Sequence, residues 1–329
     1  MTDPEALRTR LENLFYHLAG LVFLFLAKAK SVLKGYSTPK PFPTSDYPKC
    51  TEYDLGVVEK WLSFLENYIG RNDHAVGKSV LELGPGSDLG VGIYLLSKGI
   101  VQYNAIDVNN LVENVPRGFY EYFFERLRRA HTATDIESLR EQLERTQKGS
   151  NDKLNYVCRD DFDMVSAFGR EKMDIIFSQA AFEHFDDVEN TVRQLSLVSK
   201  SGAVIVAEIG MMTHSRWIRD KDPNNIYRYS QSVYNLFRFR GIPNRIRPYQ
   251  YREALEKYGW ENIVMIPLLT LDDDTFGKLE RHLNREFRDR RNQMNLLSVM
   301  LCARKGSRNS KCGDSSTGVF PCGSDTLVI

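Results

Sequence analysis

The chain has 329 residues, with 44 Lys and Arg against 43 Asp and Glu, 42% hydrophobic residues and 26% charged ones. A chain of this make-up buries a sizeable core, which excludes bulk disorder, collagen-like repeats and disulfide scaffolds. A net charge of +1 also excludes a protein that coats DNA or acidic membrane with its whole surface, so any anionic partner must be met locally.

The first element is a helix over residues 1–36. Within it, Leu14 to Ala27 is apolar except for His17 and Gly20. Fourteen residues reach about 21 Å, short of the roughly 30 Å core of a bilayer, so a spanning helix is not expected. Asp3, Glu5 and Glu12 outweigh Arg8 and Arg10, which argues against a secretory signal. Two readings stay open: a helix buried against protein, or a monotopic anchor with Lys28, Lys30 and Lys34 set toward anionic lipid.

Residues 37–50 carry Pro39, Pro41, Pro43 and Pro48 and read as a stiff linker. Thr51 can cap a helix that runs to Ile69 and stops at Gly70. Strands are then predicted at Ser79–Leu83, Tyr103–Asp107, Asn155–Cys158, Met173–Ser178, Ala203–Ile209, Asn262–Leu268 and Leu297–Ala303. Helical stretches lie between most of them, which predicts an α/β, doubly wound, mostly parallel seven-stranded sheet with helices on both faces, one antiparallel strand at its edge, and an N-terminal helical addition. Residues 306–329 lack periodicity and read as a disordered tail.

Five cysteines, Cys50, Cys158, Cys302, Cys312 and Cys322, form no C-x-x-C pair and no Cys/His cluster at zinc-ligand spacing. They point to a reducing, cytoplasmic compartment, possible contact with a membrane surface aside.

The strongest motif is V-L-E-L-G-P-G-S-D-L-G, Val80 to Gly90: an apolar strand running into a glycine turn and a helix. Glycines there let backbone N–H groups approach a ligand. A dinucleotide site would need G-x-G-x-x-G, but Leu89 holds the third glycine position, and Glu82 suits a cationic ligand better than a pyrophosphate. The motif therefore points away from a nicotinamide-dependent oxidoreductase.

Over residues 78–305 the chain resembles the class I S-adenosylmethionine-dependent methyltransferases, whose first motif is acidic-x-G-x-G at the end of the first strand. The resemblance implies a Rossmann-like domain over residues 51–305 and S-adenosyl-L-methionine as cofactor. Glu82, Gly84 and Gly86 match the first motif. Asp107, in Y-N-A-I-D, matches the acid that takes the ribose hydroxyls, and Asp160 or Asp161, in C-R-D-D-F, the adenine-side acid. Ser178 opens F-S-Q-A-A-F-E-H-F-D-D, similar to the motif after the fourth strand. Gly84 and Gly86 alone would also suit an ordinary turn, and Asp107 with Asn109 and Asn110 a surface turn; the ordered set carries the resemblance.

Methyl transfer to oxygen needs the acceptor's proton removed, and His184 stands where the acceptor should approach, so it is the candidate catalytic base. His214 is a second candidate. Glu183, His184 and His214 do not complete the E-x-x-E-H metal motif of a small-RNA methyltransferase family, because Ala180 stands at the first Glu position; no metal is expected. Residues 211–248 should form an acceptor lid, in which Arg216, Arg228, Tyr229 and Arg245, together with His214, are the candidate substrate-binding residues. Arginines interleaved with aromatics recognise phosphate, carboxylate or sugar faces, although the same composition also makes a solvated face.

R-Y-S (Arg228 to Ser230) and P-N-R-I-R-P-Y-Q-Y (Pro243 to Tyr251) look like a bacterial subgroup associated with cell-surface glycans and lipid-linked intermediates. The expected function is O-methylation of a small-molecule, glycan or lipid-linked acceptor. A non-catalytic, membrane-associated binding or scaffold protein and an RNA methyltransferase are the alternatives, and no DNA partner is expected.

Overall fold

Alternation of apolar strands with amphipathic helices brings seven strands into one sheet, in the order β3-β2-β1-β4-β5-β7-β6. The strands are β1 (Ser79–Leu83), β2 (Gln102–Asp107), β3 (Leu154–Cys158), β4 (Met173–Gln179), β5 (Ser199–Gly210), β6 (Trp260–Thr270) and β7 (Leu296–Lys305). The computed structural model describes residues 4–35, 43–72, 74–130, 135–150 and 152–307. The predicted tail beyond Ser307, with Cys312 and Cys322, lies outside the described residues, as do Pro39 and Pro41.

The first five strands pair in parallel. The antiparallel strand is β7, but it is not at the edge: it runs between β5 and β6 and pairs antiparallel with both. The reason lies in burial. β7 is buried along eight successive residues, all but Ser298 apolar, and takes the doubly covered position, while β6, half-exposed along much of its length, takes the rim.

One face of the sheet is covered by α2 (Tyr47–Ile69), α3 (Gly90–Ser97), α4 (Arg117–Ala130) and α5 (Ile136–Gln147); Trp61 of α2 stacks on Phe177 of β4 with ring centroids 4.8 Å apart. The other face is covered by α6 (Met164–Phe168), α7 (Val188–Val198) and, later in the chain, α10 (Pro248–Lys257). Helix α2 begins four residues before Thr51. Its cap is Asp46, whose carboxylate accepts the Lys49 N–H, and Pro48 lies in the first turn, where a missing N–H costs nothing. The linker therefore ends sooner than its proline content suggested.

Helix α1 (Pro4–Lys34) lies on the 211–248 segment, which carries α8 (Arg216–Arg219) and α9 (Gln231–Leu236). The Asn225 amide donates to the Tyr16 carbonyl at 2.9 Å, the Tyr229 hydroxyl to the His17 carbonyl at 2.8 Å, and Lys28 Nζ to the Leu236 carbonyl at 2.7 Å. Gly20 has to be glycine here: a Cβ would stand 2.0 Å from Asn225 Oδ1. The opposite face of α1 is bare, with Leu11, Leu14, Phe15, Leu18, Val22, Phe25 and Leu26 all exposed, Phe15 to 64%. Because Leu11, Val32 and Leu33 continue the helix, the stretch Arg10–Leu33 is 24 residues long and, by length and composition, sufficient to cross a membrane. Counting from Leu14 to Ala27 alone had made it too short.

α11 (Asp273–Glu280) and the turns that follow it connect β6 to β7. Leu283, Phe287 and Met294 from this connection pack with Leu24 of α1 and with Ile226, Tyr227, Tyr229 and Tyr234 in a third apolar cluster.

Candidate active site

β1 runs into the glycine turn at the carboxyl end of the sheet. Gly84 and Gly86 have φ of +69° and +78°, and a Cβ on Gly84 would come within 2.9 Å of Ala181 Cβ. The backbone conformation and the close approach both require glycine. Beside the turn opens a cleft of about 450 Å³, lined by Gly84, Gly86, Asp107, Asn109, Asp160, Asp161, Phe162, His184, Phe185 and Arg240, among others.

Asp107 ends β2 and faces this cleft. Burial raises its carboxyl above the ordinary value, opposed by the N–H groups of Asn109, Val108 and Gly86 and by the charge of Arg240. The Asn109 N–H bond to Asp107 Oδ1 is 2.9 Å. Asp160 and Asp161 both line the cleft, yet in different states. Arg159 grips the Asp161 carboxylate at 2.8 and 2.7 Å and holds its carboxyl down to about 2. Asp160, whose side chain is 90% exposed, meets Arg240 at 3.2 Å from across the cleft.

Two expected residues point elsewhere. Glu82 is buried beneath the turn and accepts the Tyr103 hydroxyl at 2.5 Å, and Ser178 is buried and donates to the Leu83 carbonyl at 3.3 Å. Neither lines the cleft. Glu82 and Ser178 point to opposite faces of the sheet, Glu82 toward Tyr103 and Ser178 toward the Leu83 carbonyl at the end of β1.

After β4, Ala180 takes φ of +49° and a short turn, Phe182–His184, swings the next side chains toward the 211–248 segment. Glu183 is 3% exposed, with Oε1 accepting the Gly210 N–H at 3.1 Å; burial pushes its carboxyl up to about 8. His184 sets its ring against the Gly241 carbonyl, and its Nδ1 is buried with no hydrogen-bond partner. Burial lowers the His184 pKa, the bond to Gly241 working against that, so the ring is neutral near pH 7.

His184 also lines a second cavity of about 150 Å³, shaped by Gly20, Phe23, Leu24 and Ala27 of α1 and by Ile218, Ile226, Phe239 and Ile242. His214 lines this cavity too, its ring centroid 4.9 Å from that of His184.

The other substrate candidates do not face a ligand. Arg228 is buried in an ion pair with Asp222 at 2.6 Å. Tyr229 is buried and tied to His17. Arg245 is buried over the Tyr234 ring, 4.2 Å from its centroid, and donates to the carbonyls of Ile226 and Tyr229. Arg216 lines neither cavity. Arg247, also buried, donates to the carbonyls of Asn292, Gln293 and Leu296. Arg245 and Arg247 satisfy backbone carbonyls that irregular chain leaves open, and Arg228 a buried carboxylate, roles that composition cannot distinguish from ligand binding. Arg240 is the arginine of the group that lines the cleft.

Sequence reasoning missed Phe162, Phe185 and Asn109 as cleft residues. Phe162 and Phe185 have ring centroids 5.1 Å apart, and F-D after the acid pair and F-D-D after the histidine were the signals available.

The cleft is suited to S-adenosyl-L-methionine: the cradle excludes side chains at Gly84, and the carboxylates of Asp107, Asp160 and Asp161 suit hydroxyl donors and a sulfonium charge.

A family model described as "Methyltransferase domain" matches residues 117–207. No curated protein matches the chain. Among solved structures, the chain is similar to the SeMet-substituted CurJ carbon methyltransferase, at 14% identity over 93% of this chain and 72% of that one, with a TM-score of 0.45. It is similar to a putative sarcosine dimethylglycine methyltransferase from Galdieria sulphuraria, at 13% identity over 77% and 86%, TM-score 0.42. A third similarity is to phosphoethanolamine N-methyltransferase 2 from Haemonchus contortus in complex with S-adenosyl-L-methionine, at 14% identity over 76% and 53%, TM-score 0.41. With TM-scores below 0.5, none of these likenesses bears on the acceptor or the mechanism. The family match spans α4 to β5, between the glycine turn and the 211–248 segment, and over that stretch of this sheet the chain carries a methyltransferase domain, with S-adenosyl-L-methionine as its cofactor.

Proposed function

We propose that the enzyme methylates an oxygen of a lipid-linked or otherwise apolar-tailed acceptor, working in the cytoplasm at a membrane surface. The observation that carries this reading is that His184 borders both cavities with a partnerless Nδ1. Bound S-adenosyl-L-methionine supplies an electrophilic methyl group on a sulfonium. Asp107 would accept hydrogen bonds from the ribose hydroxyls, the Gly84 to Gly86 turn would offer backbone N–H groups, and Asp160, the freer of the two neighbouring acids, would serve the adenine side with Phe162. His184, neutral at pH 7, accepts the acceptor's proton at Nδ1, and residues 211–248 act as the lid that excludes water.

An apolar tail is favoured over an anionic glycan because Arg228 and Arg245, on which glycan recognition rested, are spent inside the lid. The second cavity is apolar and is built partly by α1, whose outer face is bare. Since α1 is bound along one side to the lid, it is read as lying in the membrane interface rather than crossing it.

Calorimetric titration with S-adenosyl-L-methionine and S-adenosylhomocysteine tests the site. Asp107→Ala should weaken binding at least tenfold, about 1.4 kcal/mol, whereas His184→Ala should bind normally and lose turnover on the acceptor. Equal affinity in both variants and the parent would overturn the assignment.

A further inference from the structure

Glu183, His184 and His214 bring one carboxylate oxygen and two imidazole nitrogens within 4.8 Å of one another at the wall between the two cavities. We propose that these three side chains form a binding site for a divalent transition-metal ion of the zinc or manganese type, with its open positions turned toward the acceptor.

Three features support the site independently of sequence motif. The first is the unpaired ligand atoms: Glu183 Oε2 and His184 Nδ1 are both buried without a hydrogen-bond partner, and unpaired buried acceptors are costly. A cation between them satisfies both. The second is the surrounding shell. The His184 ring bonds to the Gly241 carbonyl and the His214 ring to the Met212 carbonyl, the arrangement that fixes a metal-binding imidazole by its other nitrogen. Glu183 Oε1 is likewise held by the Gly210 N–H. The third is the space made for the carboxylate: a Cβ on Gly210 would stand 2.7 Å from Glu183 Oε1.

Ligand atoms about 2.0 to 2.2 Å from an ion lie roughly 3 Å apart, so the three need to draw together by about an ångström or two. A small shift of the His214 ring toward Glu183 and His184 would supply that movement. Two histidines and a carboxylate on one side of an ion leave its other positions free for water or substrate.

The site rests on the methyltransferase reading for its chemistry and moves proton removal from the free imidazole to the ion. An acceptor hydroxyl bound to the ion becomes more acidic; its O–H bond breaks, the electron pair stays on oxygen, and the proton passes to solvent water through the open cleft.

The test uses the purified full chain, stripped with a chelator and titrated with Co²⁺, read by its visible absorption, and with Zn²⁺ by calorimetry. The expected result is one ion per chain, Zn²⁺ displacing Co²⁺, with Glu183→Gln and His214→Ala each weakening binding by about tenfold or more. Binding far below one equivalent, or unchanged affinity in both variants, would overturn the site. His214→Ala alters an exposed residue, so it keeps the test valid if Glu183→Gln does not fold. Titration with S-adenosyl-L-methionine on the same samples reports separately on the methyltransferase reading. Intact cofactor binding without metal binding defeats only the metal site. Metal binding without cofactor binding supports the site and counts against that reading.

Discussion

The cleft at the ends of β1 and β2 and the segment over residues 211–248 carry the same kinds of polar residue, yet they use them in opposite ways. At the cleft, Asp107 and Asp160 turn their carboxylates toward open space, and Gly84 and Gly86 hold conformations that local sequence alone demands. In the 211–248 segment, Arg228, Arg245 and Arg247 turn inward and are spent on a carboxylate and on backbone carbonyls. A glycine turn after a strand announces its own geometry. An arginine beside an aromatic announces only that one of several partners will be found.

The largest expected effect tests the inward role. Arg228→Ala leaves Asp222 as an unpaired buried charge and should cost about 3 to 5 kcal/mol in urea unfolding. A loss under about 1 kcal/mol would return Arg228 to the pool of ligand-facing residues. A change of that size could not come from an exposed salt bridge such as the one between Arg238 and Asp186.

The second prediction concerns pH and lies at the border between the two regions. Glu183 is held up to about 8 from an ordinary 4.5, so between those values the folded chain binds a proton that the unfolded chain has lost. Stability should therefore fall as pH rises through that window, and Glu183→Gln should flatten the slope. Melting temperatures between pH 5 and pH 8 in the presence of a chelator would check this; identical slopes in the two proteins would show that Glu183 has access to a countercharge or to water.

The smallest effect on stability, and a large one on location, is expected at the bare face of α1. Replacing Phe15 and Leu18 with Ser should change unfolding free energy by about 0.5 kcal/mol or less, because both are exposed. The same change should abolish flotation on liposomes with anionic lipid. Unchanged flotation would remove the membrane from the proposal while leaving the apolar cavity in place.

Much of the architecture was legible in advance because each strand is short, apolar and bounded by a turn. β1 was read to the residue, and the other six strands within a few residues at each end, β5 starting four residues early. The place of β7 was not legible, since strand order depends on which edge is covered, and residues far apart in the chain decide that. Among the candidate site residues, Gly84, Gly86, Asp107, Asp160, Asp161 and His184 were found at the cleft, each at or just after the carboxyl end of a strand. Glu82 and Ser178 lie outside the cleft lining, each held by a buried hydrogen bond that only the packing of neighbouring strands supplies: Glu82 with Tyr103 and Ser178 with the Leu83 carbonyl.

What the chain determines by itself is local. Short apolar runs make strands of five to twelve residues, glycines that must hold positive φ make the turn, and Asp46 and Gly70 bound a helix through hydrogen bonds within four residues. Tertiary structure decided the rest. It set His214 beside His184, turned Arg228 and Arg245 inward, and laid Gly20 of α1 against Asn225. The physical reason is the same in each case: burial and the pairing of buried polar groups are settled by what packs above a residue, and here those neighbours come from other elements of the chain.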